Sequence, residues 1–337
     1  MFNKSTQMLF MGILITSILL SISSNSWFVV WMGMEINMMS FMPMIMEQKN
    51  MMSKESSLTY FMVQTIASML LIMSVIMLNI KKLNFTTINP MEMMLMSALM
   101  MKSGMSPFHF WMPKMMEGMN WNNCFILMTM QKIIPLMMMS NIIKINMLTM
   151  TAMMMSIFIG AIGGLNQTSL RKLMAYSSIS NNGWMMAAMM ISETTWVTYM
   201  LFYMMMTMIM TTTMNMYKNY HINQLISMNE TTTKKFLLMM NMISISGLPP
   251  MMGFMPKWIV IQSTTNMNQL MLMGVMIMLT LITIYYYLRV MFTTMTLVNI
   301  EPKWNNNNSN KNYKMTTMMS VMSITSLTLI TMMMTAN

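Results

Sequence analysis

The sequence is divided into a long series of apolar runs, each near the length that a helix needs to cross a lipid bilayer. A hydrocarbon core about 30 Å thick requires about 20 helical residues. The first run resembles a signal peptide but lacks a small-residue cleavage site, so we expect it to be retained. We predict an all-α polytopic membrane protein with eleven spans, at 5–22, 26–46, 56–80, 90–117, 120–141, 147–165, 171–191, 194–216, 234–262, 269–296 and 315–335.

Composition supports a membrane protein and excludes several other classes. Only 8% of the 337 residues are charged, against about 25% in ordinary soluble domains. A single cysteine, Cys124, excludes a disulfide framework and a cysteine-ligated cluster or zinc site, and two histidines, His109 and His221, cannot form one. The sequence contains no GxGxxG, GxxxxGK[ST] or HExxH motif. We therefore expect this chain to bind no cofactor or metal, and any redox cofactor to lie on a partner.

Methionine is unusually frequent, at 71 residues. A copper-binding methionine site is one account, but the methionines are spread through every apolar segment without regular spacing. A genetic code that reads an isoleucine-type codon as methionine, as in animal mitochondria, accounts for them more simply. We expect a mitochondrially encoded chain in which methionine is a flexible apolar filler.

Basic residues in the loops predict the orientation. Twelve fall on the N-terminal side of the eleven-span scheme, and only Lys81, Lys82 and Lys144 fall on the other side. By the positive-inside rule, we expect the N-terminus on the matrix or cytoplasmic side and the C-terminus on the opposite side, which for a mitochondrial protein is the intermembrane space. The net charge of +11 is thus a topology signal and does not support nucleic-acid binding. The twelve are Lys4, Lys49, Lys54, Lys114, Arg171, Lys172, Lys218, Lys234, Lys235, Lys303, Lys311 and Lys314.

After the basic residues assigned to the two sides, four remain inside the predicted spans (Lys102, Lys132, Lys257 and Arg289), and Glu35 is the only carboxylate deep in a span. An ionised side chain at the centre of a membrane helix costs about 2.5–3.5 kcal/mol and usually marks a functional path. Arg289 lies near the end of its span and can reach the headgroups, whereas for Lys257 both snorkelling and function remain open. Glu35, Lys102 and Lys132 lie too deep for easy escape, so we predict a functional role for them.

Two spans carry the same motif 143 residues apart. SGMSP at 103–107 matches SGLPP at 246–250, and the tripeptide MPK occurs at both 112–114 and 255–257. Glycine and proline interrupt helices, and interruptions at corresponding places in two halves indicate broken helices at a transport site. The predicted helix-breaking residues are Gly104, Pro107, Gly247, Pro249 and Pro250.

The two interrupted spans, 90–117 and 234–262, are also longer than one crossing requires. Five crossings separate them, so they run in opposite directions. We predict one membrane domain over 1–337, built from two inverted five-helix repeats at about 5–141 and 147–296, with an extra C-terminal helix at about 315–335.

These motifs together resemble the antiporter-like membrane subunits of mitochondrial NADH:ubiquinone oxidoreductase, respiratory complex I. The resemblance covers almost the whole chain, although Asn181 stands where relatives often have a histidine. The motifs are WMGMEINMMSFMP around Glu35, KSGMSPFHFWMP around Lys102, QKIIPL around Lys132, IGAIGGLNQTSLRKLMAYSSI at 159–179 and SGLPPMMGFMPKW around Lys257.

The resemblance implies a proton path along a midplane axis of Glu35, Lys102, Lys132 and Lys257. Burial disfavours the charged form of a lysine and a nearby carboxylate favours it, so we expect Glu35 to modulate Lys102. Lys132 would be the central carrier and Lys257 the carrier nearest the exit, while His109 is either a relay or a packing residue.

The resemblance also implies partners and cofactors. NADH, FMN, iron–sulfur clusters and ubiquinone are expected on partner subunits, and the partners are lipids and the other membrane-arm and accessory subunits of complex I. Two other functions remain open. A stand-alone cation/proton antiporter would share the repeat and the buried charges, and a structural scaffold would explain the helices but not matched breaks with buried charges.

Overall fold

The computed structural model describes residues 4–47, 50–80, 90–228, 232–249, 251–266 and 270–296, together with 317, 318, 320 and 321. Within these ranges the regular structure is helical, apart from one isolated β-bridge between Ser169 and His221. The helices are α1 (Lys4–Ser23), α2 (Trp27–Ile45), α3 (Met51–Ile80), α4 (Pro90–Ser103), α5 (Trp111–Gly118), α6 (Trp121–Met128), α7 (Met130–Ser140), α8 (Met147–Gly163), α9 (Leu170–Ile191), α10 (Glu193–Tyr217), α11 (Ile222–Ile226), α12 (Thr232–Ser246), α13 (Phe254–Asn266) and α14 (Leu270–Thr296).

The all-α membrane fold predicted from the apolar runs is confirmed. Among the described residues, six helical segments are long and apolar enough to cross a membrane, and one of them consists of the consecutive helices α6 and α7. They are Ser5–Ser23, Trp27–Ile45, Met51–Ile80, Trp121–Ser140, Glu193–Tyr217 and Leu270–Thr296.

The helices follow the first ten predicted spans, with differences in detail. Span 120–141 contains two helices, because the regular helical pattern is interrupted at Thr129 (φ −112°, ψ −76°) between α6 and α7. The short helix α11 was not predicted; Gln224 caps it by accepting a hydrogen bond from the backbone N–H of His221 at 3.2 Å. The eleventh span, 315–335, lies almost entirely outside the described residues, and the number of spans stays a prediction.

The two overlong spans are broken where the glycine and proline motifs predicted. The first is interrupted between Ser103 and Trp111, and the second between Ser246 and Phe254. The start and the end of the second break therefore each lie 143 residues after those of the first, which is also the offset between the sequence motifs. That the two halves run in opposite directions stays a prediction.

A glycine in the left-handed region ends the first helix of each broken pair. Gly104 has φ +71° and Gly247 has φ +83°. At the first break, the N–H of Met105 bonds to the carbonyl of Met100 at 3.0 Å and that of Gly104 to Met101 at 3.3 Å. These two hydrogen bonds form a Schellman motif, which ends a helix by supplying donors to its last carbonyl groups.

The chain forms two compact units, Met1–Ser156 and Ile157–Asn337. In the first, α3 packs against α2, α4 and α5, and α7 packs against α1, α4 and α6. In the second, α10 packs against α9, α12 and α13, while α14 packs against α11, α12 and α13. The boundaries of the two sequence repeats stay a prediction.

Close backbone packing at the second break generates a stability prediction. A methyl carbon added at Gly253 would lie 1.8 Å from the carbonyl oxygen of Ser244, whereas one added at Gly274 would meet nothing within 4 Å. Overpacking typically costs about 1–3 kcal/mol, and backbone cannot move aside as a side chain does. We expect Gly253→Ala to lower both the yield and the thermal inactivation temperature of the membrane-extracted protein, and Gly274→Ala to leave both unchanged. Equal behaviour of the two variants would contradict this packing.

Candidate functional site

A small, mostly polar cavity lies inside the first unit, next to the first helix break. It has room for about one water molecule. Its wall combines one ionisable amine with neutral amide and phenol groups. The lining residues are Met34, Asn37, Tyr60, Gln64, Lys102, Gln131, Ile134 and Pro135.

Three of the polar side chains form a hydrogen-bonded chain that joins three helices. The Tyr60 hydroxyl on α3 donates to Gln131 Oε1 on α7 at 3.0 Å, and Gln131 Nε2 donates to Asn37 Oδ1 on α2 at 2.8 Å. Tyr60 is 1% exposed. Buried amides and hydroxyls are stable only when hydrogen-bonded, so this chain fixes the rotamers of all three side chains.

Lys102 lies in the last turn of α4 and is buried. Its carbonyl, which the helix break leaves without a helical partner, accepts a hydrogen bond from Gln64 Nε2 at 3.3 Å. Gln64 therefore stabilises the end of α4 and also lines the cavity beside the lysine.

Glu35 lies on α2, the helix that also contributes Met34 and Asn37 to the cavity wall. Within the described residues it forms no ion pair with Lys102, and its Oε1 is buried without a hydrogen-bond partner. The pairing of Glu35 with Lys102 therefore stays a prediction.

Lys132 lies on α7, adjacent in sequence to Gln131, and is only 2% exposed. The helix is interrupted just before it at Thr129, whose hydroxyl donates a hydrogen bond to the Phe125 carbonyl at 2.7 Å. Pro135 removes a further helical bond three residues later. This span is therefore also irregular around its lysine.

Lys257, in the second unit, bridges the second helix break. Its ammonium donates to the carbonyl of Ser246, the last residue of α12, at 2.7 Å, and the side chain is 7% exposed. Of the two alternatives left open by the sequence, the geometry favours a fixed interior position over snorkelling. Gly247 makes this contact possible, because a methyl carbon there would lie 2.9 Å from the Lys257 nitrogen.

The other predicted residues occupy different environments. His109 is buried, and its Nδ1 lies 3.2 Å from the carbonyl oxygen of Pro107. Lys114 and Arg289 are exposed, as expected for headgroup anchors. Pro107 and Pro249 lie in the breaks and are exposed, whereas Pro250 lies outside the described residues.

Asn181 lies on α9, most of whose residues are buried. Its Oδ1 accepts a hydrogen bond from the Tyr199 hydroxyl at 3.0 Å. In the described part of the chain, no group of three or more His, Cys, Asp or Glu side chains is placed to hold a metal ion.

Comparison with known proteins agrees with the membrane fold and the buried polar site described above. A sequence model of the NADH:quinone oxidoreductase/Mrp antiporter transmembrane family matches residues 24–283. The chain belongs to this family.

Relatives in the NADH:quinone oxidoreductase/Mrp antiporter family match almost the full length. NADH-ubiquinone oxidoreductase chain 2 of Locusta migratoria is 43% identical over 306 residues, 90% of each chain. The chain of the same name in Aedes aegypti is 45% identical over 318 residues, 93% of each. The fold also matches a chain of respiratory complex I from Thermus thermophilus, with a TM-score of 0.76, 17% identity and coverage of 95% of this chain and 78% of that one. The family resemblance predicted from the motifs is confirmed.

The sequence analysis did not predict the uncharged polar residues that line the cavity. Tyr60, Gln64 and Gln131 each lie within an apolar segment, and Gln131 is next to a predicted lysine. An uncharged polar residue inside a membrane span is a usable signal, because it too needs a partner there. Which of these residues face each other depends on helix packing and is not readable from one sequence.

The contrast between Lys132 and Lys114 generates a functional prediction. Replacing buried Lys132 with Met keeps the side-chain volume but removes the titratable amine, whereas Lys114→Gln changes only an exposed residue. We expect Lys132→Met to lower coupled NADH:quinone turnover of the assembled complex about tenfold or more, and Lys114→Gln to leave it near normal. Both variants should assemble. The reverse pattern would show that the wrong lysine had been assigned.

Proposed function

We propose that the chain is a proton-translocating membrane subunit of an NADH:ubiquinone oxidoreductase, respiratory complex I. The observation that carries the proposal is Lys102, a buried amine at a helix break that lines a polar, water-sized cavity. An amine in such a place can gain and lose a proton without leaving the protein. Near-full-length similarity to NADH-ubiquinone oxidoreductase chain 2 supports this function over the others.

The four residues predicted from the sequence have separate roles in this proposal. Glu35 modulates the charge of Lys102, because a nearby carboxylate stabilises an ammonium. Lys132 is the central proton carrier, and Lys257 is the carrier nearest the exit. His109 is a candidate relay at the first break, since its ring nitrogens can both donate and accept a hydrogen bond.

Electron transfer takes place elsewhere in the complex. NADH, FMN, iron–sulfur clusters and ubiquinone belong to partner subunits in this proposal, and this chain responds to their chemistry through protein contacts. The partners are the other membrane-arm and accessory subunits, with lipid around the exposed apolar helix faces. The chain resides in the mitochondrial inner membrane with its N-terminus in the matrix and its C-terminus in the intermembrane space.

The stand-alone cation/proton antiporter is the alternative, and assembly distinguishes the two. We expect mild detergent extraction of mitochondria, followed by native electrophoresis, to place the chain in a very large assembly that oxidises NADH and reduces quinone. The purified chain alone in proteoliposomes should not exchange a cation for protons. A small particle with antiport activity of its own would contradict the proposal.

A further inference from the structure

Two side chains on one stripe of α2 have buried polar atoms that make no hydrogen bond. Within the described residues, the indole Nε1 of Trp31 and the Oε1 of Glu35 have no hydrogen-bond partner. The indole N–H can only donate, and an ionised carboxylate can only accept. Glu35 Oε1 is also the only carboxylate atom in this state in the described part of the chain. A missing hydrogen bond is costly for a buried donor and for a buried acceptor alike.

Helix geometry brings these two groups within reach of each other. Trp31 and Glu35 are four residues apart in one continuous helix, so their Cβ atoms lie about 5–6 Å apart on the same face. Side chains on a helix lean toward its N-terminus, and the Trp31 ring packs on Phe28 with ring centroids 5.6 Å apart. The turn that carries the indole is therefore the one over which the carboxylate extends.

The stripe that carries the two residues lies at the edge of the buried face of α2. On one side of it, Asn37 lines the cavity that also contains Lys102. On the other side, Met39 is 56% exposed. Glu35 can thus turn toward the cavity or back along its own helix toward the indole, and within the described residues it has no partner in either direction.

We propose that Trp31 is a positioning residue that gives Glu35 a second hydrogen-bond partner, alternative to Lys102. The inference rests on the proposed function, in which Glu35 modulates the charge of Lys102. When the carboxylate is turned away from the ammonium, the indole N–H holds it in a defined rotamer. No covalent bond forms or breaks in this step, because only the donor to Glu35 changes.

A neutral donor suits this second position. A buried carboxylate that left an ammonium and found no other donor would be strongly destabilised, and the two positions would differ too much in free energy to exchange. A hydrogen bond from a neutral N–H is weaker than one from an ammonium. The indole therefore holds Glu35 without preventing its return to Lys102.

The test measures coupled NADH:quinone turnover of the assembled complex, with kcat and KM determined separately. Trp31→Phe keeps an aromatic ring but removes the donor. We expect kcat to fall about tenfold, the effect of one hydrogen bond to a charged group, with KM for NADH and for quinone unchanged. Trp31→Tyr restores a donor on a ring of similar size and should recover part of the loss. A role in packing alone predicts no such recovery.

Combination with Glu35→Gln shows whether the effect depends on the carboxylate. In that background the indole has no charge to hold, so Trp31→Phe should cause little further loss. Trp184→Phe is the matched control, because its indole N–H is also buried without a partner in the described residues, but no carboxylate lies within four positions of it. Any loss that the control causes should multiply with that of Glu35→Gln, as it does for independent sites.

Several results would overturn the inference. These are an assembled Trp31→Phe complex with wild-type turnover, a Trp31→Tyr complex no faster than Trp31→Phe, and the same non-additivity with Glu35→Gln in Trp184→Phe. A Trp31→Phe loss that multiplies with that of Glu35→Gln would overturn it too, since the indole would then serve a different partner.

Assembly and proton pumping separate the remaining outcomes. If Trp31→Phe failed to assemble, recovery of assembly by Glu35→Gln would support the pairing, and continued failure would assign Trp31 to folding and overturn the inference. A wild-type complex that pumped no protons would instead contradict the proposed function.

Discussion

A broken helix in a membrane leaves carbonyl oxygens that need donors, and a buried ammonium needs oxygen atoms. The bond of 2.7 Å from Lys257 to the carbonyl of Ser246 meets both needs at once. In hydrocarbon an unsatisfied backbone group costs several kcal/mol, and an unpartnered charge costs a comparable amount or more. The break and the lysine therefore stabilise each other.

The first break meets the same demand with neutral groups. Gln64 binds the carbonyl of Lys102, and the Schellman motif at Gly104 binds two more carbonyls. The side chain of Lys102 is therefore not needed to cap its own helix, and it lines the cavity instead. A fully formed buried ion pair would hold the proton more tightly, and no such pair between Glu35 and Lys102 is present among the described residues.

The parts of the fold that depend on local sequence were predicted well. The lengths of the apolar runs predicted the helices, and the repeated glycine–proline motif predicted the two breaks. Each break begins at a glycine, Gly104 or Gly247, because these residues adopt a backbone conformation that other residues avoid. The interruption at Thr129 was not predicted, because a single threonine inside an apolar run does not distinguish a broken helix from a continuous one. The roles of Lys102, Lys132 and Lys257 remain predictions, although their burial agrees with those roles. That Glu35 is the partner of Lys102 also remains a prediction. The Tyr60–Gln131–Asn37 chain was not predicted, because it depends on how three helices meet, and one sequence does not show that.

A double-mutant cycle tests the central claim most directly, namely that Glu35 and Lys102 work as one proton-exchanging unit. Coupled turnover and protons per electron would be measured for the assembled complex with Glu35→Gln, with Lys102→Met and with both changes. Removing either charge disables the unit, so each single variant should lose about tenfold or more in turnover, equivalent to about 1.4 kcal/mol. The double variant should be no slower than the slower single variant. Losses that simply add, as they do for independent sites, or an assembled Glu35→Gln complex with normal turnover and normal protons per electron, would contradict the account.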